Sequence, residues 1–351
     1  MKVLEVTGRS SGGIIRHIRL LCELLTETGS EVALAQPVEN GTLGVAGVPE
    51  TPIAISSRPS LQDRATIRTL RALAPDFDVL HAHGLRAGAL CGLALRGSPV
   101  GQRPRLVVTL HNQVPSSGLM RLIGDYLLNT ICRQADVVLG VSSDLVELAR
   151  SRGARDAQRA LIPAEPAAVT GKPRDEIRSD LGLTTSLCFV TVARLAPQKG
   201  LEMLIETARR MSFTDYTWFV AGDGPLRGAL EQAAGGTPVS FLGARADIGD
   251  LLRAADVVVS TSVWEGQSIF LQEALKAGRP LVATAVGGNP EVTGEAAVLV
   301  SPDASALAAA LDEVSGDAQL RERLQMDALA RAAELPTPQQ MLAQIQEVLK
   351  G

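Results

Sequence analysis

The sequence predicts an α/β protein of two successive domains, each built on a parallel sheet. Three observations predict it: short β-branched apolar runs recur along the chain, amphipathic stretches of helical period separate them, and the pattern stops and restarts once near the midpoint. A length of 351 residues suits two domains of ordinary size.

In the first half the runs are VLEV (3–6), EVALAQ (31–36), PIAI (52–55), DVLHAH (78–83), RLVVTL (105–110) and DVVLGV (136–141). They are mostly apolar throughout rather than alternating, which marks strands buried on both faces of a parallel sheet. Between the first two, IIRHIRLLCELLTETG (14–29) places Ile14, Ile18, Leu21, Cys22 and Leu25 on one stripe and ends at Gly29, a natural helix stop. His17, beside Arg16, is expected on the solvated surface of that helix. SLQDRATIRTLRALA (60–74) keeps Leu61, Ile67, Leu70 and Leu73 inward and Arg64, Arg68 and Arg71 outward. The pattern dissolves over PAEPAAVTGKPR (163–174), where prolines and a glycine mark a linker. It restarts with SLCFVTVA (186–193), YTWFVAG (216–222), VSFLG (239–243), DVVVSTS (256–262), PLVATAV (280–286) and AAVLV (296–300), with helical stretches such as GLEMLIETARRM (200–211) following. A last helical segment, 337–351, has no strand of its own.

Composition removes several classes. Apolar content of 46% with a net charge of −4 excludes disorder as the main state. Lys+Arg 34 against Asp+Glu 38 leaves no basic excess for a nucleic-acid backbone. The charge is uneven: residues 1–165 carry 18 Lys/Arg against 15 Asp/Glu, net +3, and the rest is net −7. Cys22, Cys91, Cys132 and Cys188 are irregularly spaced without Cys-x-x-Cys, so neither a disulfide framework nor a cysteine zinc site is expected, and a reducing cytoplasm fits. The N-terminus turns polar too early for a signal peptide, and no apolar run is long enough to span a bilayer.

Ligands of open α/β sheets lie beyond the carboxyl ends of strands, so residues just after each run carry the functional reading. After the first strand, Thr7-Gly8-Arg9-Ser10-Ser11-Gly12-Gly13 opens a helix. Its glycines would let backbone N–H groups approach an anion, or would simply make a tight turn. After the restart, Arg194 and Lys199-Gly200 stand at a strand end and a helix mouth, a pair suited to a diphosphate or to a solvated loop. Glu265 and Glu273 are separated by seven residues. Were the whole stretch helical they would stand ~12 Å apart, too far to share one bond as acid and base but suited to two parts of one extended ligand. Glu273 lies within an apolar helical stretch and could bond vicinal hydroxyls; a solvated helix face is the alternative. His81, His83 and His111 follow strands of the first domain, with a structural hydrogen-bonding role as the plainer reading. Gly222 and Gly224 follow a strand of the second, and Gly287-Gly288-Asn289 opens a short helix, again suited to an anion.

ARLAPQKGLEMLI, WFVAGDGPLRGALE and ADVVVSTSVWEGQSIFLQEALKAGRPLVATAVGGNPEV, together with SGGIIRHI and DVLHAHG, resemble the retaining glycosyltransferases of family 4, of the GT-B fold. The resemblance runs over nearly the whole chain and is strongest over 190–300. It implies two facing Rossmann-like domains with a nucleotide-sugar donor in the cleft: an acceptor-binding domain of residues 1–165, joined by the C-terminal helix 337–351, and a donor-binding domain of 166–336. It implies a hexose moved, with retention, from a nucleotide-diphosphate sugar (UDP as default) to a hydroxyl of a small-molecule, glycan or lipid-linked acceptor. Arg194 and Lys199 would hold the diphosphate, Glu273 the ribose hydroxyls and Glu265 the sugar hydroxyls. Gly12 and Gly13 would approach the phosphate, Gly287, Gly288 and Asn289 would line the sugar–phosphate region, and His111 would lie near the sugar's primary hydroxyl. The base would stack near the loop after Phe241 and Leu242, with Arg245 at its edge. Gln267 and Ser268 replace residues common in the family and imply a more polar sugar pocket. No cofactor or metal is expected, since no Asp-x-Asp lies near a strand end. The competing functions are an inactive nucleotide-sugar-binding module and a UDP-sugar epimerase on the same fold. Arg16, Arg19, Arg64, Arg68 and Arg71 add the expectation of peripheral contact with an anionic membrane, from a cytoplasmic location.

Overall fold

A computed structural model of the chain describes residues 1–10, 12–56, 58–98, 103–114 and 118–350. Ser11 of the first glycine loop and Gly351 of the last segment lie outside the described residues. The chain divides into two compact units, Met1–Pro163 with the segment from Pro336 onward, and Ala164–Leu335.

The first unit holds β1 (Lys2–Thr7), β2 (Glu31–Gln36), β3 (Glu50–Pro52), β4 (Val79–His83), β5 (Arg105–Leu110), β6 (Val137–Gly140) and β7 (Ala157–Arg159). All pair in parallel, in the order β3-β2-β1-β4-β5-β6-β7. Its terminal helix, Pro338–Lys350, returns to this sheet: Arg105 Nε donates to Val348 O at 2.8 Å, and Gln344 ties Arg159 O and Leu161 N. The second unit holds β8 (Leu187–Val192), β9 (Tyr216–Ala221), β10 (Val239–Gly243), β11 (Val257–Ser260), β12 (Leu281–Thr284) and β13 (Val298–Val300), all parallel in the order β10-β9-β8-β11-β12-β13.

Both orders are doubly wound, the strand order reversing beside the first strand of each sheet. Strands such as β1, β4 and β11 are buried along nearly their whole length because helices cover both faces, which is why they read as unbroken apolar runs. The few aromatics concentrate under the second sheet. Phe189 stacks on Tyr216 at 4.7 Å and meets Trp218 edge-on at 5.7 Å, and the Trp218 indole N–H donates to Thr191 Oγ1. This cluster anchors β8, which leads into the Arg194–Lys199 loop.

Three elements depart from the pattern. PIAI (52–55) is expected as a strand, but the strand is Glu50–Pro52. Ile53 and Ile55 are apolar because they fill the core, while the backbone bends so that Ile55 O accepts Arg9 N–H at 3.1 Å. The short edge strand β7 and the helix Arg174–Asp180 carry too few apolar residues to show in the sequence. All four cysteines are buried and unpaired, and burial pushes the Cys22 thiol up, those of Cys91 and Cys188 to about 12 and that of Cys132 to about 11. Thiolate is the reactive form. A disulfide reagent at mildly alkaline pH should therefore leave the folded protein unmodified and titrate four thiols after denaturation. Prompt labelling of folded protein would contradict this packing.

Candidate functional site

In the second sheet the order reverses between β8 and β11, so the loops after these strands flank the switch point. They are bonded to each other: Val263 N donates to Gln198 O at 2.9 Å and Thr261 Oγ1 to Lys199 O at 3.0 Å. Gly200 makes the turn possible, in the left-handed region at φ 60°, where a Cβ would lie 2.1 Å from Thr261 O. Lys199 Nζ thereby pairs with Glu265 Oε1, which also accepts from Ser262 Oγ at 2.7 Å. Ser262 itself is set by Thr284 Oγ1, which donates to its carbonyl at 2.6 Å. Around this pair lies a small polar pocket lined by Thr191, Lys199, Ser262, Glu265, Ser268 and Phe270 among others. A cation, a carboxylate and several hydroxyls in one small polar pocket can hold a phosphate and sugar hydroxyls together.

Ser268 caps the helix Ile269–Lys276, its Oγ accepting from Leu271 N–H, so helix begins only there and the unbroken helix assumed from Glu265 to Glu273 is not formed. Glu273 is 4% exposed within that helix, whose Leu271, Ala274 and Leu275 belong to the core, and this corrects the solvated-face alternative. Gln267 is half-buried between Glu265 and the cap. Arg194 stands exposed after β8 and does not line the pocket. Gly287, at φ 50°, presses on the Glu265 loop, with 2.0 Å from its would-be Cβ to Glu265 O, and Gly288 N donates to the same oxygen at 2.9 Å. Asn289 is buried; its Nδ2 donates to Thr284 O and its Oδ1 has no hydrogen-bond partner among the described residues. The glycines after β8, β9 and β12 thus hold the loops against each other. Gly222 and Gly224 belong to the same set, since a Cβ would strike Ala193 O and Leu195 O, of the loop bearing Arg194.

The residues expected around a base are differently engaged. Phe241 and Leu242, on the edge strand β10, pack half-buried against the two core clusters, and Arg245 forms a bidentate pair with Asp247. The structure thus gathers Lys199, Glu265, Ser268 and Gly287 into one locale and leaves Phe241, Leu242 and Arg245 outside the pocket lining. Ser262, Thr261 and Thr284 escaped the sequence reading. The Ser-Thr-Ser tail of DVVVSTS was the signal for the first two.

In the first sheet the order reverses between β1 and β4. Gly12, at φ 62°, leads into the helix Gly13–Glu27, so backbone N–H groups of Gly13 and its neighbours open at the mouth of the turn. The four histidines of the chain cluster here, two of them on the Glu5 carboxylate and two beside His83. Glu5, fully buried on β1, accepts from His83 Nε2 at 2.7 Å and from His81 Nδ1 at 3.1 Å; His81 Nε2 meets Thr109 Oγ1, and His83 Nδ1 meets His111 Nε2 at 3.1 Å. His17 is a correction: it is 4% exposed, because its turn of the helix faces the sheet, with its ring 5.7 Å from those of His83 and His111. Burial pushes His17 down to about 3 and also lowers His83 and His111, so these imidazoles are neutral. Burial pushes Glu5 up, but the imidazoles outweigh it and hold the carboxyl near about 2. Glu5 escaped the sequence reading because a glutamate inside a strand run gives no periodic signal.

Comparison with known proteins agrees with this architecture. Residues 11–164 match the family Glycosyltransferase Family 4, and residues 186–317 match Glycosyl transferases group 1. The N-acetyl-alpha-D-glucosaminyl L-malate synthase of Bacillus anthracis is 26% identical over 231 residues, 62% of this chain and 59% of that protein. The chain spans about half to two thirds of the length of several curated relatives it matches. The phosphatidyl-myo-inositol mannosyltransferase of Mycolicibacterium smegmatis is 29% identical over 353 residues, 92% of this chain and 85% of that one. The crystal structure of Anabaena HepE with UDP and glucose shares the fold, with a TM-score of 0.83 at 21% identity over 100% of this chain and 99% of that one. With two doubly wound units of the GT-B fold and family matches over both, the chain belongs to the family 4, group 1 glycosyltransferases.

Proposed function

We propose that the chain is a retaining glycosyltransferase that moves a hexose from a nucleotide-diphosphate sugar, UDP by default, to a hydroxyl acceptor, with no metal at the diphosphate. The observation that carries this reading is the Lys199–Glu265 pair at the switch point of the second sheet, set among hydroxyl groups. As the anomeric bond breaks toward an oxocarbenium-like state, the leaving diphosphate gains charge. Lys199 and the exposed Arg194 supply preorganised cations for it, the work a divalent ion does elsewhere. Donor binding would exchange the Lys199–Glu265 contact for Lys199 on phosphate and Glu265 on sugar hydroxyls. Glu273 takes the ribose, and the resemblance gives His111 the sugar's primary hydroxyl. With no nucleophilic side chain assigned, the acceptor attacks from the leaving-group side and its proton passes to the departing phosphate oxygen. The relatives named for N-acetylglucosaminyl and mannosyl transfer support the reaction class.

Incubation with a panel of nucleotide sugars and acceptors tests the reading. Nucleotide release with a new glycoside is expected; binding without turnover would instead mean an inactive module, and an isomerised sugar nucleotide an epimerase.

Among the described residues no helix is long and apolar enough to cross a membrane. Leu119, Leu122 and Tyr126, more than half exposed, form an apolar stripe along one face of the helix Gly118–Gln134, and Arg64 and Arg68 elsewhere in the first unit are exposed as well. Such a face supports peripheral docking toward a lipid-linked acceptor. Salt-sensitive sedimentation with anionic liposomes is expected, and its loss in Leu119→Ser/Leu122→Ser checks the assignment.

A further inference from the structure

The Glu5–histidine cluster consists of two groups that share His83. One, Glu5 with His81 and His83, is closed: the carboxylate accepts from both rings, and Thr109 takes the far side of His81. The other, His17 with His83 and His111, is open. Its candidate ligand atoms lie within 4.8 Å of one another, and the buried His17 Nδ1 has no hydrogen-bond partner among the described residues.

We propose that His17, His83 and His111 form a binding site for a first-row transition dication such as Zn²⁺, a site separate from the donor diphosphate. A tetrahedral ion with metal–nitrogen bonds of ~2.0–2.1 Å needs ligand nitrogens ~3.3 Å apart. His83 Nδ1 and His111 Nε2 are 3.1 Å apart, and the three ring centres form a near-equilateral triangle with sides of 5.4, 5.7 and 5.7 Å. Glu5 stands behind His83, accepting from Nε2 at 2.7 Å. A carboxylate in that position keeps the ring's other nitrogen bare, turned to the metal, and raises its basicity. The buried carboxylate also supplies negative charge against the ion. His111 moves its proton to Nδ1 when Nε2 binds. Being 9% exposed, it is the most accessible of the three rings, which leaves a fourth ligand place for water or another small ligand on its side.

The test uses the full, tag-free chain stripped with a chelator and titrated with Co²⁺ alone. One equivalent with the intense visible bands of tetrahedral ligation is expected, displaced by one equivalent of Zn²⁺. His17→Phe keeps ring volume and orphans no Nδ1 partner. It should retain the wild-type circular dichroism and lose Co²⁺ affinity at least ~10²-fold, while Glu5→Gln weakens it ~10–100-fold. An octahedral spectrum, no stoichiometric uptake, or unchanged affinity in folded His17→Phe would overturn the site. None of these readouts involves sugar transfer, so the metal site and the transferase reading fail independently.

Discussion

Replacing Lys199 by Ala is expected to lower turnover at least ~10²-fold with little change in fold, and Glu273→Ala to do the same. The magnitude follows from the task. A preorganised charged or hydrogen-bonding contact aimed at developing charge stabilises the transition state by about 3–4 kcal/mol. Lys199 is held for such a task, since its loop is bonded to the β11 loop and its ammonium is already partly withdrawn from water beside Glu265. Its removal leaves Glu265, 9% exposed, with the Ser262 hydroxyl and no cation. Some stability is therefore lost as well, and kcat should be read at a temperature where the melting curve shows folded protein. Glu273→Gln separates charge from shape: it keeps the hydrogen-bonding length and should recover more activity than Glu273→Ala. Near-normal turnover in both alanine variants would sink the assignment of the pocket to the donor.

Gly200→Ala is expected to destabilise the second unit by about 3 kcal/mol, lowering its melting temperature by ~5–15 °C. Two effects add. The left-handed backbone at φ 60° strains any residue with a Cβ, and that Cβ would meet Thr261 O at 2.1 Å, a contact only a backbone shift can relieve. Gly236→Ala supplies the comparison: its φ is 77° but nothing lies within 4 Å of the added carbon, so strain alone, about 1 kcal/mol, is expected. The shift forced at Gly200 also moves Lys199, so Gly200→Ala should lose turnover beyond what its stability explains, while Gly236→Ala retains it. Equal effects of the two substitutions would mean that the β8 and β11 loops yield to each other and do not fix the Lys199–Glu265 geometry.

The legible part of this protein was local. Among the described residues, eleven of the thirteen strands coincide, within a residue or two at their ends, with apolar runs seen in the sequence, because a strand covered on both faces must be apolar throughout. The break in the pattern at 163–174 was legible through its prolines; the division between the units falls at its start, between Pro163 and Ala164. Lys199, Glu265 and Glu273 were legible as charges that follow or interrupt apolar runs. Burial of Glu273 was not, because the helix face it occupies depends on where Ser268 starts the helix.

The sequence by itself determined the two-unit α/β architecture, the family, and the strand ends at which chemistry would gather. Only the tertiary structure decided which of those ends meet. Doubly wound order places β8 beside β11 and β1 beside β4, strands far apart in the chain, and so joins Lys199 to Glu265 and Glu5 to His81 and His83. His17 shows the reason most clearly. Its neighbour Arg16 suggested solvent, yet a helix turns the next residue through roughly a quarter of its circumference, and the sheet beneath decides which side is inside.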